Sequence, residues 1–272
     1  GSGGFTRGMK ETVRNLPEFQ ATHVLLMDDD VTLQMESIYR LRALLTYVRP
    51  EYEQEVVAGR MFRLDRPHVQ YTAVEIWNGG DIKHIGLNQD MTDRQCLWSM
   101  NENEGGEYGG WWFACYPIEF VKDNDPLPFF LHCDDVEYGL RHGGTPIVLN
   151  GIQVWHETYE YRQTPVMTYY DCRNSLYVNS LHNIFQDKYQ ILKNWKSSIM
   201  EQYSKNEYLI ERMLIFGMAD FLRGIKWLSR VDPGKVNSRI RKKCCMIRLQ
   251  NAWFWRLTCI KFYLKQIGSI KN

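Results

Sequence analysis

The sequence lacks long apolar runs and lacks the cysteine spacings that are typical of disulfide or structural metal frameworks. None of its 272 residues lies in an uncharged apolar stretch of about eighteen or more, and no basic segment followed by an apolar one opens the chain. We therefore expect neither a membrane span nor a secretory signal. The seven cysteines include no CxxC pair, and only Cys244 and Cys245 adjoin. Such usage indicates reduced thiols in a cytoplasmic protein.

The net charge of +1 is small, but it is unevenly distributed along the chain. Residues 188–272 hold eighteen Lys and Arg against five Asp and Glu, a net +13, which leaves −12 for residues 1–187. An acidic segment suits a metal-dependent site, whereas a basic segment rich in aromatic residues suits anionic lipid head groups or another polyanion. Because no recognisable nucleic-acid-binding motif accompanies the basic segment, we expect no nucleic-acid partner.

The most informative motif is a short apolar run that ends in three consecutive acids. Residues 23–27 have the pattern of a buried strand, and Asp28, Asp29 and Asp30 follow directly. Carboxylates at the open end of a strand offer hard oxygen ligands to a divalent cation and its bound diphosphate. The alternative is that Asp29 or Asp30 only caps the helix predicted over residues 36–48.

A second acidic pair and a histidine occur further along the chain. Asp134 and Asp135 begin a predicted helix, where they supply either a general base or only N-terminal caps. His156 follows a predicted strand, where it is either a cation ligand or a structural residue; a mixed carboxylate and imidazole set suits manganese better than calcium. If these residues meet the acidic triplet, one cleft would bind a metal diphosphate and take a proton from an attacking hydroxyl.

Two glycine-containing segments suggest further contacts with a ligand. Residues 1–8 are glycine-rich, and we expect them to form a phosphate-binding loop before a helix over residues 9–16. Trp111 and Trp112 follow two glycines, so an indole ring would stack on the face of a sugar, with core filling as the alternative.

Alternating strands and helices in the first two thirds of the chain predict an α/β sheet, followed by helices after Pro165. We expect a flexible insertion over residues 63–107, with a tight turn at residues 78–81 joining two strands. Ligands of open α/β sheets bind beyond the carboxyl ends of the strands. The acidic groups, the Trp pair and His156 are all predicted to lie there.

Six motifs in register carry a family resemblance. They are GSGGFTRG from residue 1, LMDDD from 26, GGWW from 109, DDVEYGLR from 134, VWH from 154 and YYDCRN from 169. In order and spacing the set resembles the glycosyltransferase family 2 enzymes related to the polymerising galactofuranosyltransferase of mycobacterial cell-wall galactan. The resemblance covers roughly residues 1–180.

This resemblance implies a GT-A-type, Rossmann-like sheet with helices on both faces over residues 1–186, then a basic, aromatic-rich helical region over residues 187–272. It implies inverting, metal-dependent transfer of a sugar, with galactofuranose favoured, from a UDP-sugar to a lipid-linked glycan of a bacterial cell-surface polysaccharide. Rhamnosyl or other hexosyl transfer and a non-catalytic carbohydrate-binding or scaffold module are the alternatives. Because this family carries nucleotide-binding strands upstream of the glycine-rich segment, we expect an N-terminally incomplete catalytic domain.

The resemblance also implies roles for individual residues. The ligands of Mn²⁺ or Mg²⁺ would be Asp28, Asp30 and His156. Asp135 would be the catalytic base, and Asp134 would contact the acceptor.

The remaining implied contacts lie with the two substrates and the membrane. Trp111 and Trp112 would line the acceptor subsite, and Glu75 is a candidate acceptor-binding acid. The donor-binding residues would be Gly3, Gly4, Arg7 and Asp29. Residues 239–267 mix Lys and Arg with Trp253, Phe254, Trp255, Phe262 and Tyr263. This composition predicts an interfacial helix on the anionic inner face of the plasma membrane, with packing on the catalytic domain as the alternative. Homo-oligomerisation is left open.

Overall fold

The structure, a computed structural model, describes residues 2–100, 105–158, 164–184 and 187–250. The chain divides into two compact units. The first consists of Gly1–Gln163 and Asn174–Gln186, and the second of Thr164–Arg173 and Asp187–Asn272. The aromatic residues predicted to form the interfacial helix, from Trp253 onward, lie outside the described residues.

The first unit is a mixed α/β structure, which confirms the predicted class. Its elements, in chain order, are α1 (Ser2–Arg14), α2 (Leu16–Phe19), β1 (His23–Leu26), β2 (Thr32–Leu33), α3 (Met35–Tyr47), β3 (Val57–Arg63), β4 (Val69–Thr72), β5 (Glu75–Asn78), β6 (Asp81–His84), β7 (Gln89–Asp90), α4 (Arg94–Ser99), β8 (Ala114–Pro117), α5 (Ile118–Val121), α6 (Asp134–His142) and β9 (Ile147–His156). A 3₁₀ turn at Pro50–Tyr52 precedes β3. Helix α7 (Pro165–Leu181) contributes residues to both units.

The main sheet is mostly antiparallel. Its strand order is β1-β8-β3-β4-β7, and β9 pairs with both β3 and β2. Only the pairing of β3 with β9 is parallel among the described strands. The connection between β3 and β4 is short, and a short connection permits only antiparallel pairing of those two strands.

Core residues cover both faces of this sheet. Along β8, Ala114 and Tyr116 belong to a cluster that includes Met9 of α1 and Tyr138 of α6. Cys115 belongs to a second cluster, on which α3 packs through Leu41. Since successive side chains of a strand point to opposite faces, the two clusters place helices on both sides of the sheet, as expected.

The described residues of the segment 63–107, namely 63–100 and 105–107, form strands, turns and helix α4, so the expectation of a flexible insertion is wrong for them. Strands β5 and β6 pair as a hairpin through the turn at residues 78–81, which confirms that part of the prediction. The adjoining Glu75 pairs with Tyr108 as an isolated bridge, and its backbone N–H donates to the Tyr108 carbonyl at 3.0 Å. These pairings could not be predicted from the sequence because each strand has four residues or fewer, too few to show a clear alternation of apolar and polar residues.

The glycine-rich start is also different from the expectation, because Ser2–Arg14 form a helix rather than a loop. Glycine is unfavourable in a helix by about 1 kcal/mol relative to alanine. Tertiary packing outweighs that preference here: Met9 is buried, and the ring of Phe5 meets Trp111 edge-on with centroids 4.8 Å apart.

The described part of the second unit is helical, as predicted for the residues after Pro165. Beside the first part of α7 it contains α8 (Lys188–Ser204), α9 (Tyr208–Phe221), α10 (Ile225–Leu228) and α11 (residues 233–250). Buried Asp220 joins these helices, because it accepts a hydrogen bond from the Tyr169 hydroxyl at 2.7 Å and from the Arg239 guanidinium. None of the described helices is both long and apolar enough to cross a membrane. The six described cysteines are free thiols.

Candidate active site

Strand pairing brings the acidic triplet to His156. Strand β2 begins two residues after Asp30 and pairs with the end of β9, with Thr32 opposite Trp155. The next residue of β9, His156, is held from its other side by the parallel pairing with β3. The turn that contains the triplet is therefore fixed beside His156, although the two are separated by more than a hundred residues of sequence.

Asp28, Asp30 and His156 form a cluster with the composition of a divalent-cation site. One potential ligand atom from each lies within 4.8 Å of the others. The Nε2 atom of His156 is 2.9 Å from Oδ1 of Asp30. The His156 side chain is 2% exposed and that of Asp30 is 49% exposed, so the cluster opens to solvent on the carboxylate side. Asp29 is exposed and lies outside the cluster.

The orientation of the imidazole suits a ligand role. Its Nδ1 lies 2.6 Å from the backbone carbonyl oxygen of Glu157. Because a carbonyl oxygen only accepts hydrogen bonds, Nδ1 carries the proton, and Nε2 is the atom turned toward the carboxylates. A second hydrogen bond of this kind orients most metal-binding histidines. The donor set, two carboxylates and an imidazole, has the chemistry of a site for Mn²⁺ or Mg²⁺, and the identity of the cation stays a prediction.

The triplet does not cap the following helix. Helix α3 begins at Met35, and its N-cap residue is Gln34. The alternative in which Asp29 or Asp30 caps this helix is therefore wrong.

The second acidic pair lies at the N-terminus of α6, after a loop with unusual backbone angles. Phe130, His132 and Cys133 have positive φ values of 75°, 60° and 64°. Such angles are unfavourable for residues with side chains and cluster at functional sites. The side-chain amide of Asn174 holds this loop, since it donates to the carbonyl oxygens of Leu131 and His132 at 2.7 and 2.8 Å.

Helix α6 itself is fixed by close packing and by an ion pair. A Cβ added to Gly139 would lie only 2.4 Å from Cβ of Tyr108, so the helix approaches Tyr108 as closely as glycine allows. On α6, buried Glu137 pairs with Arg141 and His182. Burial alone would raise the pKa of Glu137, but the hydrogen bonds from His182 and Arg141 outweigh it and lower that pKa.

The two acidic groups act on each other electrostatically. Burial raises the pKa of Asp28; the charge of His156 opposes this rise, and those of Asp30 and Asp134 add to it. The pKa of Asp135 lies well above its ordinary value, because of burial first and then of the charges of Asp134, Glu75 and Asp28. Burial likewise raises the pKa of Asp134. The triplet and the Asp pair therefore lie within interaction range of one another.

Glu75 and Tyr108 complete this surrounding. Glu75 is buried, and its Oε1 lies 2.7 Å from Nδ1 of His84. The pKa of the Tyr108 hydroxyl lies well above its ordinary value, because of burial and then of the negative charges of Glu75 and Asp135. The sequence indicated Glu75 only as a candidate acceptor-binding acid. It did not indicate Tyr108, because the position of Tyr108 near Asp135 follows from the packing of α6.

Both tryptophans of the GGWW motif fill the core. Trp111 is 3% exposed and Trp112 is 2% exposed, and the Trp112 indole N–H donates to the Gly59 carbonyl at 2.9 Å. A Cβ on Gly110 would lie 2.0 Å from the Trp112 ring, so the glycine provides the space for this ring. The expected stacking of a sugar on these rings is thus corrected to the core-filling alternative.

The residues expected to contact the donor nucleotide lie on α1 and in the acidic turn. Gly3, Gly4 and Arg7 are exposed on α1, and a side chain at Gly3 or Gly4 would meet nothing within 4 Å. The structure gives no packing reason for these two glycines, and the donor-binding role of the three residues, as of Asp29, stays a prediction.

Comparison with known proteins finds two relatives of this chain, both named galactofuranosyltransferases. The chain is 28% identical over 205 residues to galactofuranosyltransferase GlfT2 of Mycobacterium tuberculosis, and 29% identical over 202 residues to the GlfT2 of Mycolicibacterium smegmatis. The chain resembles galactofuranosyltransferase GlfT2. Each match covers 67% of this chain, and the chain spans about 30% of the length of either GlfT2. No family model matches the chain.

Proposed function

We propose that this chain is the catalytic part of an inverting, metal-dependent glycosyltransferase. In this proposal it moves galactofuranose from UDP-galactofuranose to a lipid-linked glycan acceptor of a bacterial cell-surface polysaccharide. The observation that carries the proposal is the contact of Asp30 with His156, with Asp28 beside them and the Asp134–Asp135 pair within electrostatic range. The resemblance to GlfT2 supports the sugar and the reaction class. The GT-A-type fold is part of the same proposal.

The cation-binding cluster would hold the diphosphate of the donor. Asp28, Asp30 and His156 would bind Mn²⁺ or Mg²⁺, which when bound neutralises charge on the departing diphosphate. The exposed side of Asp30 leaves room for the ligand, while the carbonyl of Glu157 keeps the imidazole oriented. Arg7, Gly3, Gly4 and Asp29 would contribute further to binding the donor.

Asp135 would act as the general base. As the acceptor hydroxyl oxygen attacks C1 of the sugar, the C1–O bond to the diphosphate breaks and the hydroxyl proton passes to a carboxylate oxygen of Asp135. A raised pKa favours this role, because proton transfer is most effective when the pKa of the base approaches the working pH. Asp134 would orient the acceptor next to it.

A donor screen tests this proposal. Release of UDP from UDP-galactofuranose is measured with a galactan oligosaccharide acceptor, with and without Mn²⁺, and UDP- and dTDP-linked rhamnose and hexoses are run in parallel. We expect acceptor-dependent release with UDP-galactofuranose and its loss in EDTA. Preference for a rhamnose donor would replace the sugar assignment, and carbohydrate binding without turnover of any donor would favour the non-catalytic module.

A lipid-linked acceptor requires the enzyme to work at a membrane. We therefore propose a peripheral location on the cytoplasmic face of the plasma membrane, where the basic second unit faces anionic lipid.

A further inference from the structure

One face of α11 in the second unit carries two lysines that no carboxylate in the described part of the chain neutralises. A surface groove of about 720 Å³ is lined by residues of this face, among them Lys235, Arg239, Lys242 and Lys243. The single carboxylate in the lining, Asp232, accepts the backbone N–H of Lys235 and so caps the start of the helix. The groove therefore has an excess of positive charge.

Two of its four cations have partners within the unit. The Arg239 guanidinium is paired with Asp220, and Nζ of Lys243 lies 3.8 Å from the ring centroid of Phe216. Lys235 and Lys242 are exposed and form no ion pair with any residue in the described part of the chain. These two side chains are available for an external anion.

The same face continues into exposed apolar side chains. Positions 235, 239, 242, 246 and 249 are spaced by four and three residues, which places them along one side of the helix. Met246 is 58% exposed and Leu249 is 63% exposed. A soluble phosphate accounts for the lysines but gives no reason for two large apolar side chains in water beside them.

From this juxtaposition we infer that the face of α11 formed by Lys235, Lys242, Met246 and Leu249 docks on an anionic phospholipid surface. The lysines meet lipid phosphates, and Met246 and Leu249 enter the boundary between head groups and acyl chains. The inference deepens the proposed peripheral location, but it does not rest on sugar transfer, and its test measures binding alone.

Vesicle co-sedimentation of the whole chain tests the inference. Vesicles of phosphatidylcholine alone are compared with vesicles that also contain phosphatidylglycerol, at low and high salt. We expect binding only to the anionic vesicles and weaker binding at high salt. Each lysine near a membrane surface contributes about 1 kcal/mol, so Lys235→Ala with Lys242→Ala should weaken binding about thirty-fold. The double variant Met246→Ser with Leu249→Ser should bind the anionic vesicles more weakly than wild type, and the difference should persist at high salt.

A matched control separates this face from overall charge. Lys193→Ala with Lys196→Ala removes the same charge from exposed positions of α8, and we expect it to retain most of the binding. An equal loss in both double variants would overturn the site on α11, as would equal binding of wild type to neutral vesicles. Soluble glycerophosphate should not compete; full competition would assign the groove to a free phosphate ligand instead. Circular dichroism checks that each variant is folded.

Discussion

The two acidic groups of the first unit use the same residue type in different surroundings. Asp30 is half exposed, and its Oδ1 lies 2.9 Å from Nε2 of His156. Asp135 lies at the start of a helix, within electrostatic range of the carboxylates of Asp134, Glu75 and Asp28. In our proposal the first arrangement binds a cation, because two carboxylates and an imidazole lie close enough to act as ligands together. The second raises proton affinity. Environment, rather than residue identity, distinguishes a cation-binding aspartate from a proton-accepting one.

The largest effect on the rate of sugar transfer should come from a variant in which residue 135 can no longer accept a proton. We expect Asp135→Asn to lower the transfer rate about 10²- to 10⁴-fold while leaving Mn²⁺ and UDP binding within a few-fold of wild type. Steady-state rates and calorimetric titration with UDP measure the two effects. Near-normal turnover of the variant would rule out Asp135 as the base.

Variants of the proposed cation-binding cluster should lose affinity for the cation and the donor. Asp30→Ala removes a ligand, so we expect Mn²⁺ affinity to fall at least 10- to 100-fold and donor affinity to fall with it. Asp29→Ala is the matched control, because it removes a neighbouring carboxylate that lies outside the cluster. Electron paramagnetic resonance of free Mn²⁺ reports the affinity directly. If both variants bound Mn²⁺ alike, the cluster would not be the cation site.

Glu75 offers a finer test of the proton-accepting group. Its charge raises the pKa of Asp135, so Glu75→Gln should lower that pKa and move the acid limb of the pH–rate profile to lower pH. Asp123→Asn, at an exposed position away from the group, should leave the profile unchanged. An acid limb that stayed in place in Glu75→Gln would show that another group controls it.

The smallest effect concerns stability. A carboxyl whose pKa is higher in the folded state stabilises the fold below its unfolded-state pKa, and this contribution is lost as the pH rises through the folded-state pKa. At neutral pH, where the carboxyl of the unfolded chain is ionised, the burial of Asp135 therefore lowers the stability of the fold. We expect Asp135→Asn to raise the melting temperature, by about 2–4 °C for each kcal/mol recovered, and to lose this advantage at acidic pH. Calorimetry at both pH values measures the difference, and a lower melting temperature at neutral pH would contradict it.

Local elements of the two acidic groups could be predicted from the sequence, whereas the contacts between distant residues could not. The strand before Asp28 could be predicted from its apolar run, and the helix at Asp134 from its acidic start and the Gly143-Gly144 pair that follows it. The contact of Asp30 with His156 depends on the pairing of β2 with β9, which no local pattern specifies. Similarly, the burial of Trp112 follows from space left by Gly110, and the helical start follows from the packing of Met9 and Phe5. Tertiary contacts decided each of these against local preference.

The pairing of β2 with β9 has a consequence for folding. Asp30 and His156 approach each other only after two short, distant segments have found one another, so the unfolded chain contains no equivalent cation site. Free energy released on cation binding is then available only to the folded protein. A cation bound at the proposed site would therefore stabilise the fold, and we expect the first unit to unfold and to be digested more readily when the metal is withheld.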